Sequence, residues 1–211
     1  MKRLASWCLL VAAWLFALGA FAQTALRSGD FVRLDPPQPV TTGSAIEVIE
    51  FFYYGCPICY ELQPQMSRWL VQAPNYMALR RIPAKASDTW ETFAKLYFSL
   101  EALGEIQRLH WPVYDNFHFD GVRLNDEKVM LDWVTRNGIT RERFLEAYNS
   151  PDTQARVNEA AEMMNRYNVR GVPTIVVDGK YLSSARIAGG TRQLMQVVDK
   201  LVQQARSERP Q

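Results

Sequence analysis

Ile46-Glu47-Val48-Ile49-Glu50-Phe51-Phe52-Tyr53-Tyr54-Gly55-Cys56-Pro57-Ile58-Cys59 is the stretch on which the reading of this chain turns. The apolar run Ile46 to Phe52 reads as a buried central strand, and Tyr53-Tyr54-Gly55 turns the chain. A helix is predicted to start around Cys56 and to run to about Val71. Pro57 suits its first position, where the missing N–H costs nothing. Pro64 falls inside and should kink it. The two-residue spacing puts both sulfurs at one helix end, where they can pair as a disulfide. Cys56 then sits among backbone N–H groups that favour a thiolate, which is both nucleophile and leaving group in disulfide exchange. A C-x-x-C at a strand-to-helix junction therefore reads as a redox site.

The start of the chain points to export. Met1-Lys2-Arg3 is a basic start, Leu4 to Gly19 is almost wholly apolar, and Ala20-Phe21-Ala22 supplies a small-x-small cleavage pattern. The apolar run is shorter than the ~20 residues that a spanning helix needs. A signal peptide is expected at 1–22, with Gln23 as the mature start; an uncleaved anchor is the alternative. Cys8 would be lost with the signal, leaving Cys56 and Cys59 of the three cysteines. An exported chain with no other cysteine has no disulfide framework, which points to catalysis rather than stapling.

Without Lys2 and Arg3, 22 basic side chains face 22 acidic ones. This balance gives no electrostatic case for nucleic acid or an anionic membrane. The mature length suits one domain, or one with an insertion. A monomer is expected.

Along the mature chain, Gly29 to Leu34 could form a short first strand, broken by the prolines of Asp35-Pro36-Pro37-Gln38-Pro39. Met77 to Pro83 is the next strand candidate. Five helices follow: one capped by Asp88 that carries Trp90, Phe93, Tyr97 and Leu100 at helical spacing, one over about 107–117, one capped by Asn125 and running to about Arg136, one capped by Thr140, and one opened by Pro151. Pro173 to Val177 is β-rich, Asp178-Gly179 is a hairpin turn into Lys180-Tyr181-Leu182, and Gly189-Gly190 precedes a last amphipathic helix from Thr191 to about Ala205. The tail from Arg206 looks disordered. This order is α/β: a thioredoxin fold at 23–85 and 167–211, with an all-helical insertion domain at 86–166.

The chain resembles the DsbA family of exported thiol:disulfide oxidoreductases. The likeness is carried by Val48 to Cys59 and by Val169-Arg170-Gly171-Val172-Pro173-Thr174, the latter followed by Val177-Asp178-Gly179-Lys180-Tyr181. It covers essentially the whole mature chain. The resemblance implies a Cys56–Cys59 redox-active disulfide and a cis Pro173, with Val172 presenting its backbone to an extended substrate beside Pro57 and Ile58. A cis X-Pro bond costs only ~0.5–1 kcal/mol over trans; an ordinary trans proline is the alternative. It also implies that Glu50, beneath the sulfurs, carries protons to or from Cys59. A carboxyl in an apolar strand is expensive to bury ionised, and a solvent-facing or hydrogen-bonded Glu50 is the plainer reading. Glu47, on the opposite face, reads as surface.

Ile58 departs from the family pattern, which usually has histidine there. A histidinium can stabilise the Cys56 thiolate and isoleucine cannot. The helix N-terminus alone contributes ~0.3–1 kcal/mol, up to ~2, which at about 1.4 kcal/mol per pH unit lowers the Cys56 pKa by roughly one. A weaker oxidant than a histidine-bearing relative is therefore expected. Zinc needs about four ligands, and beyond the cysteines only His110 and His118 offer, so no metal and no other cofactor is expected. The two histidines read as surface or hydrogen-bonded residues. Trp111 and Trp133 read as core. Tyr53, Tyr54 and the Trp90 helix are either core or the wall of an apolar groove for substrates.

The expected function is oxidation of cysteine pairs in reduced, unfolded exported proteins by donation of the Cys56–Cys59 disulfide. The resemblance implies a Gram-negative periplasm and a DsbB-type quinone-linked membrane partner that restores the disulfide. A reductase or isomerase on the same fold is the rival, although residues 23–45 are too few for an isomerase's dimerisation domain. A non-catalytic peptide-binding holdase is the more distant one.

Overall fold

The structure, a computed structural model, describes residues 26–209. The expected signal peptide and Cys8 lie outside them. Five strands, β1 (Val32–Arg33), β2 (Ile46–Phe52), β3 (Met77–Pro83), β4 (Thr174–Val177) and β5 (Tyr181–Ser184), form one sheet in the order β1-β5-β4-β2-β3. β2 runs parallel to β3 and antiparallel to β4; β4–β5 and β5–β1 are also antiparallel. A parallel pair needs a crossover, and α1 (Pro57–Gln72) supplies it between β2 and β3. It runs continuously across Pro64.

Between β3 and β4 stand α2 (Asp88–Ala102), α3 (Ile106–His118), α4 (Glu127–Arg136), α5 (Arg141–Tyr148) and α6 (Pro151–Arg166); α7 (Ala185–Ala188) and α8 (Thr191–Glu208) follow β5. This is the thioredoxin fold with an all-helical insertion that the element order predicts. Every residue of β2 is buried, because helices cover both faces of the sheet. Ile46 and Val48 pack with Leu62 and Met66 of α1 and with Leu194, Val198 and Leu201 of α8. Ile49 and Phe51 join a larger cluster that runs through Phe93, Leu96, Leu109, Tyr114, Phe144 and Val157 of the insertion. The 178–179 turn has φ of +53° at Asp178 and +63° at Gly179, as a two-residue hairpin needs. Only glycine fits at 179, since a Cβ there would lie 2.0 Å from the carbonyl oxygen of Gln38.

Several expectations need correction. Asp126, not Asn125, caps α4, its Oδ1 accepting the N–H groups of Lys128 and Val129. Ser87, not Asp88, occupies the cap position of α2, without a side-chain bond. The C-terminal segment is ordered to residue 209: α8 continues to Glu208, whose carboxylate accepts from Tyr181 and Lys180, and Arg209 pairs with Asp178. Glu47 is buried, because its carboxylate folds back to accept the N–H and hydroxyl of Thr41 at 3.1 and 2.6 Å. Trp111 is 41% exposed, stacked on Tyr60 rather than sunk in the core.

Candidate active site

Cys56 is the N-cap of α1. Its backbone is extended, Pro57 follows at the first helical position, and its Sγ accepts the N–H of Cys59 at 3.2 Å. The sulfur thus fills the place usually taken by a serine or aspartate oxygen. Cys56 is half-buried and Cys59, a turn further in, is buried. Both are free thiols here.

The two thiols differ sharply in acidity. Cys56 is lowered from 9.0 to about 7. The largest cause is hydrogen bonding from the Cys59 side chain to the Cys56 sulfur; burial opposes it, and the backbone N–H groups of Cys59 and Ile58 reinforce it. Cys59 is pushed well above 9.0, first by burial, then by Cys56 as hydrogen-bond partner and as charge, with the charge of Glu50 adding to it. The fall at Cys56 exceeds the helix-only expectation because the second thiol stabilises the first sulfur directly.

The Val172–Pro173 peptide bond is cis. It brings the Val172 carbonyl oxygen to 3.6 Å from Sγ of Cys56, which donates to it as a thiol. Glu50 is fully buried on the α1 side of β2. Its Oε1 accepts from Nε2 of Gln63 at 2.7 Å and its Oε2 from Nε of Arg81 at 3.0 Å. Arg81 reaches it because the parallel register sets residue 81 of β3 opposite residue 50 of β2. A buried carboxylate is tolerable when so paired and hydrogen-bonded.

Ile58 is 44% exposed at the rim of a groove of about 620 Å³. Leu34, Val172, Pro173, Leu182 and Ile187 contribute its apolar lining. The groove therefore lies on the β1–β5 side of the sulfurs. Tyr53 and Tyr54 belong to the opposite side and are packed: Tyr53 stacks on Trp90 at 4.0 Å between ring centres, and Tyr54 is fully buried. Sequence reasoning missed Leu34, Leu182 and Ile187, which lie far apart in the chain and meet only once the sheet order is known. It also missed Arg81, for which the only signal was the register. Among the described residues no group of three or more His, Cys, Asp or Glu is placed to hold a metal.

The model of the DSBA-like thioredoxin domain matches residues 47–202, which include both cysteines and Pro173. The chain belongs to the DsbA family. It is 34% identical to the thiol:disulfide interchange protein DsbA of Azotobacter vinelandii, over 98% of this chain and 99% of that one. It is 31% identical to the DsbA of Pseudomonas aeruginosa strain PAO1, over 98% of each. A crystal structure of Pseudomonas aeruginosa DsbA superposes with a TM-score of 0.81 at 31% identity, covering 88% of this chain and 97% of that one. With a C-x-x-C pair on that DsbA framework, the chain is a thiol:disulfide oxidoreductase.

Proposed function

We propose that this DsbA-family chain works in a Gram-negative periplasm as a donor of disulfides to newly exported proteins. The observation that carries the reading is the unequal acidity of the two thiols. A disulfide is the more oxidising the better its reduced form is stabilised, and the Cys56 thiolate, with a pKa of about 7, is what stabilises the dithiol form here.

In the proposed cycle a substrate thiolate attacks Sγ of Cys56. The Cys56–Cys59 bond breaks, a mixed disulfide forms, and Cys59 leaves as a thiolate. Burial disfavours that thiolate, so it takes up a proton, with Glu50 as the relay. A second substrate thiolate then attacks the substrate sulfur of the mixed disulfide. The substrate leaves oxidised, and Cys56 is released as a thiolate that its own helix end and Cys59 stabilise. Pro57, Ile58 and the Val172 backbone meet the substrate beside the sulfurs, and Pro173 holds that backbone in place. The apolar groove receives unfolded segments and the quinone-linked, DsbB-type membrane protein that removes the two electrons.

A reductase would run the same exchange backwards. One observation keeps that direction in view: Ile58 supplies no cation, and Cys56 rests near 7 rather than far lower. The equilibrium of Cys56–Cys59 with glutathione, measured on mature protein, tests the reading. An equilibrium that favours the dithiol form is expected of a donor. A disulfide as stable as those of reducing thioredoxins would overturn it. A Cys56→Ser variant should lose all exchange; persistence of function through peptide binding alone would favour the holdase.

A further inference from the structure

Tyr54 lies two residues ahead of Cys56, and α3 grips it at both ends. Its phenol oxygen is 2.9 Å from Nδ1 of His110, and its carbonyl oxygen is 2.7 Å from Nε2 of His118. These are the chain's two histidines. A carbonyl can only accept, so Nε2 of His118 carries the proton. The imidazole is itself aimed: it stacks on Tyr60 of α1 at 5.0 Å and 19° between planes, and Tyr60 donates its hydroxyl to Asp115 at 3.0 Å. A donor fixed by α1 and α3 together thus holds the peptide that joins Tyr54 to Gly55.

We propose that His118 is a positioning residue for the exchange reaction. It acts on Cys56 through the Tyr53–Cys56 loop and not through its own charge. The stabilisation of the Cys56 thiolate comes from Cys59 and from the N–H groups at the start of α1, and it depends on where the loop leaves Sγ. Three contacts fix that place. The N–H of Cys56 donates to the Tyr53 carbonyl at 3.0 Å. Gly55 lies so close under Tyr53 that a Cβ would come within 2.5 Å of the ring. His118 holds the carbonyl between them. Without its donor, that carbonyl is left short of a partner, a situation that costs free energy and that the peptide relieves by turning toward water. Turning it draws Sγ away from the Cys59 N–H.

The inference rests on Cys56 as the reactive sulfur, and its test reads Cys56 directly. His118→Phe keeps the stacking and removes the donor; His118→Gln restores a donor of similar reach. The Cys56 pKa, from thiolate absorbance, and the equilibrium with glutathione are measured for both. For phenylalanine the pKa is expected to rise from about 7 by about one pH unit, with about a tenfold shift of the equilibrium toward the disulfide form. Glutamine should recover most of both. Unchanged values in a folded phenylalanine variant, or a change that glutamine does not reverse, would overturn the proposal while leaving Cys56 as nucleophile. Should the phenylalanine variant not fold, ¹⁵N NMR of the unaltered protein decides. A slowly exchanging proton on Nε2 of His118 supports the clasp, and a freely exchanging one overturns it.

Discussion

The backbone N–H of Cys59 points at Sγ of Cys56 over 3.2 Å, so the reactive sulfur is also the cap of its own helix. Charge on that sulfur and stability of the fold are therefore linked. In the folded dithiol form Cys56 titrates near 7, below the ordinary 9.0 expected of an unfolded chain. A depressed pKa gives stabilisation that is complete above the unfolded value and lost as pH falls through the folded one. The urea midpoint of reduced protein, taken relative to oxidised protein, should rise from pH 7 to pH 9. Above 9 the buried Cys59, whose pKa is raised, works the other way. A difference that stays flat from 6 to 9 would contradict the assignment. Alkylation of Cys56 should accelerate with an inflection near pH 7.

Ile58→His should make the disulfide more oxidising. The side chain at 58 is 44% exposed at the mouth of the site, where a histidinium would face the Cys56 thiolate. The Cys56 pKa should drop below 7, and the glutathione equilibrium should move about tenfold toward the dithiol for each pH unit of lowering. An unchanged equilibrium would overturn the expectation that Ile58 makes this chain the weaker oxidant.

Glu50→Gln separates the carboxylate's charge from its hydrogen bonding. Removing one partner of a buried ion pair typically costs on the order of 3 kcal/mol, and Arg81 would lose its anion. Urea denaturation should show that loss. The Cys59 pKa should fall, since the Glu50 charge helps to raise it. If Glu50 relays protons to the departing Cys59, formation of the mixed disulfide should slow by on the order of a hundredfold. Unaltered formation with lowered stability would leave Glu50 a structural residue.

Ile187→Asp places a charge in the apolar lining of the groove, at a residue that is not among the groups stabilising the Cys56 thiolate. Burying an aliphatic side chain is worth about 1.5–3 kcal/mol. The KM for an apolar cysteine peptide should rise roughly tenfold, with the glutathione equilibrium unchanged. A shift in the equilibrium instead would mean that the groove shapes the redox pair itself.

Much of this was legible in the sequence because the deciding signals are local. The cap position of Cys56, Pro57 behind it, the 178–179 turn and the Thr140 cap each depend on a few consecutive residues. What was not legible depends on contacts between distant segments. Glu47 looked like a surface residue because alternation along a strand implies one wet face, and β2 has none. Arg81 became the partner of Glu50 only through strand register. Trp111 reads as core by default, yet its place on α3 sets it at the surface against Tyr60. Tyr53 and Trp90 read either as core or as groove wall from sequence; their rings stack on each other, and the groove opens instead where β1, β5 and α7 border Ile58.

The unbroken cluster from Phe51 and Phe52 into Phe93, Leu109, Tyr114 and Phe144 has a bearing on engineering. The helices between β3 and β4 are not a detachable module. Excising them would leave one side of the central strand bare to water and would cut Tyr54 loose from the helix that steadies it. The inserted helices and the redox pair therefore draw on one shared core, and a redesign of either has to repack the other.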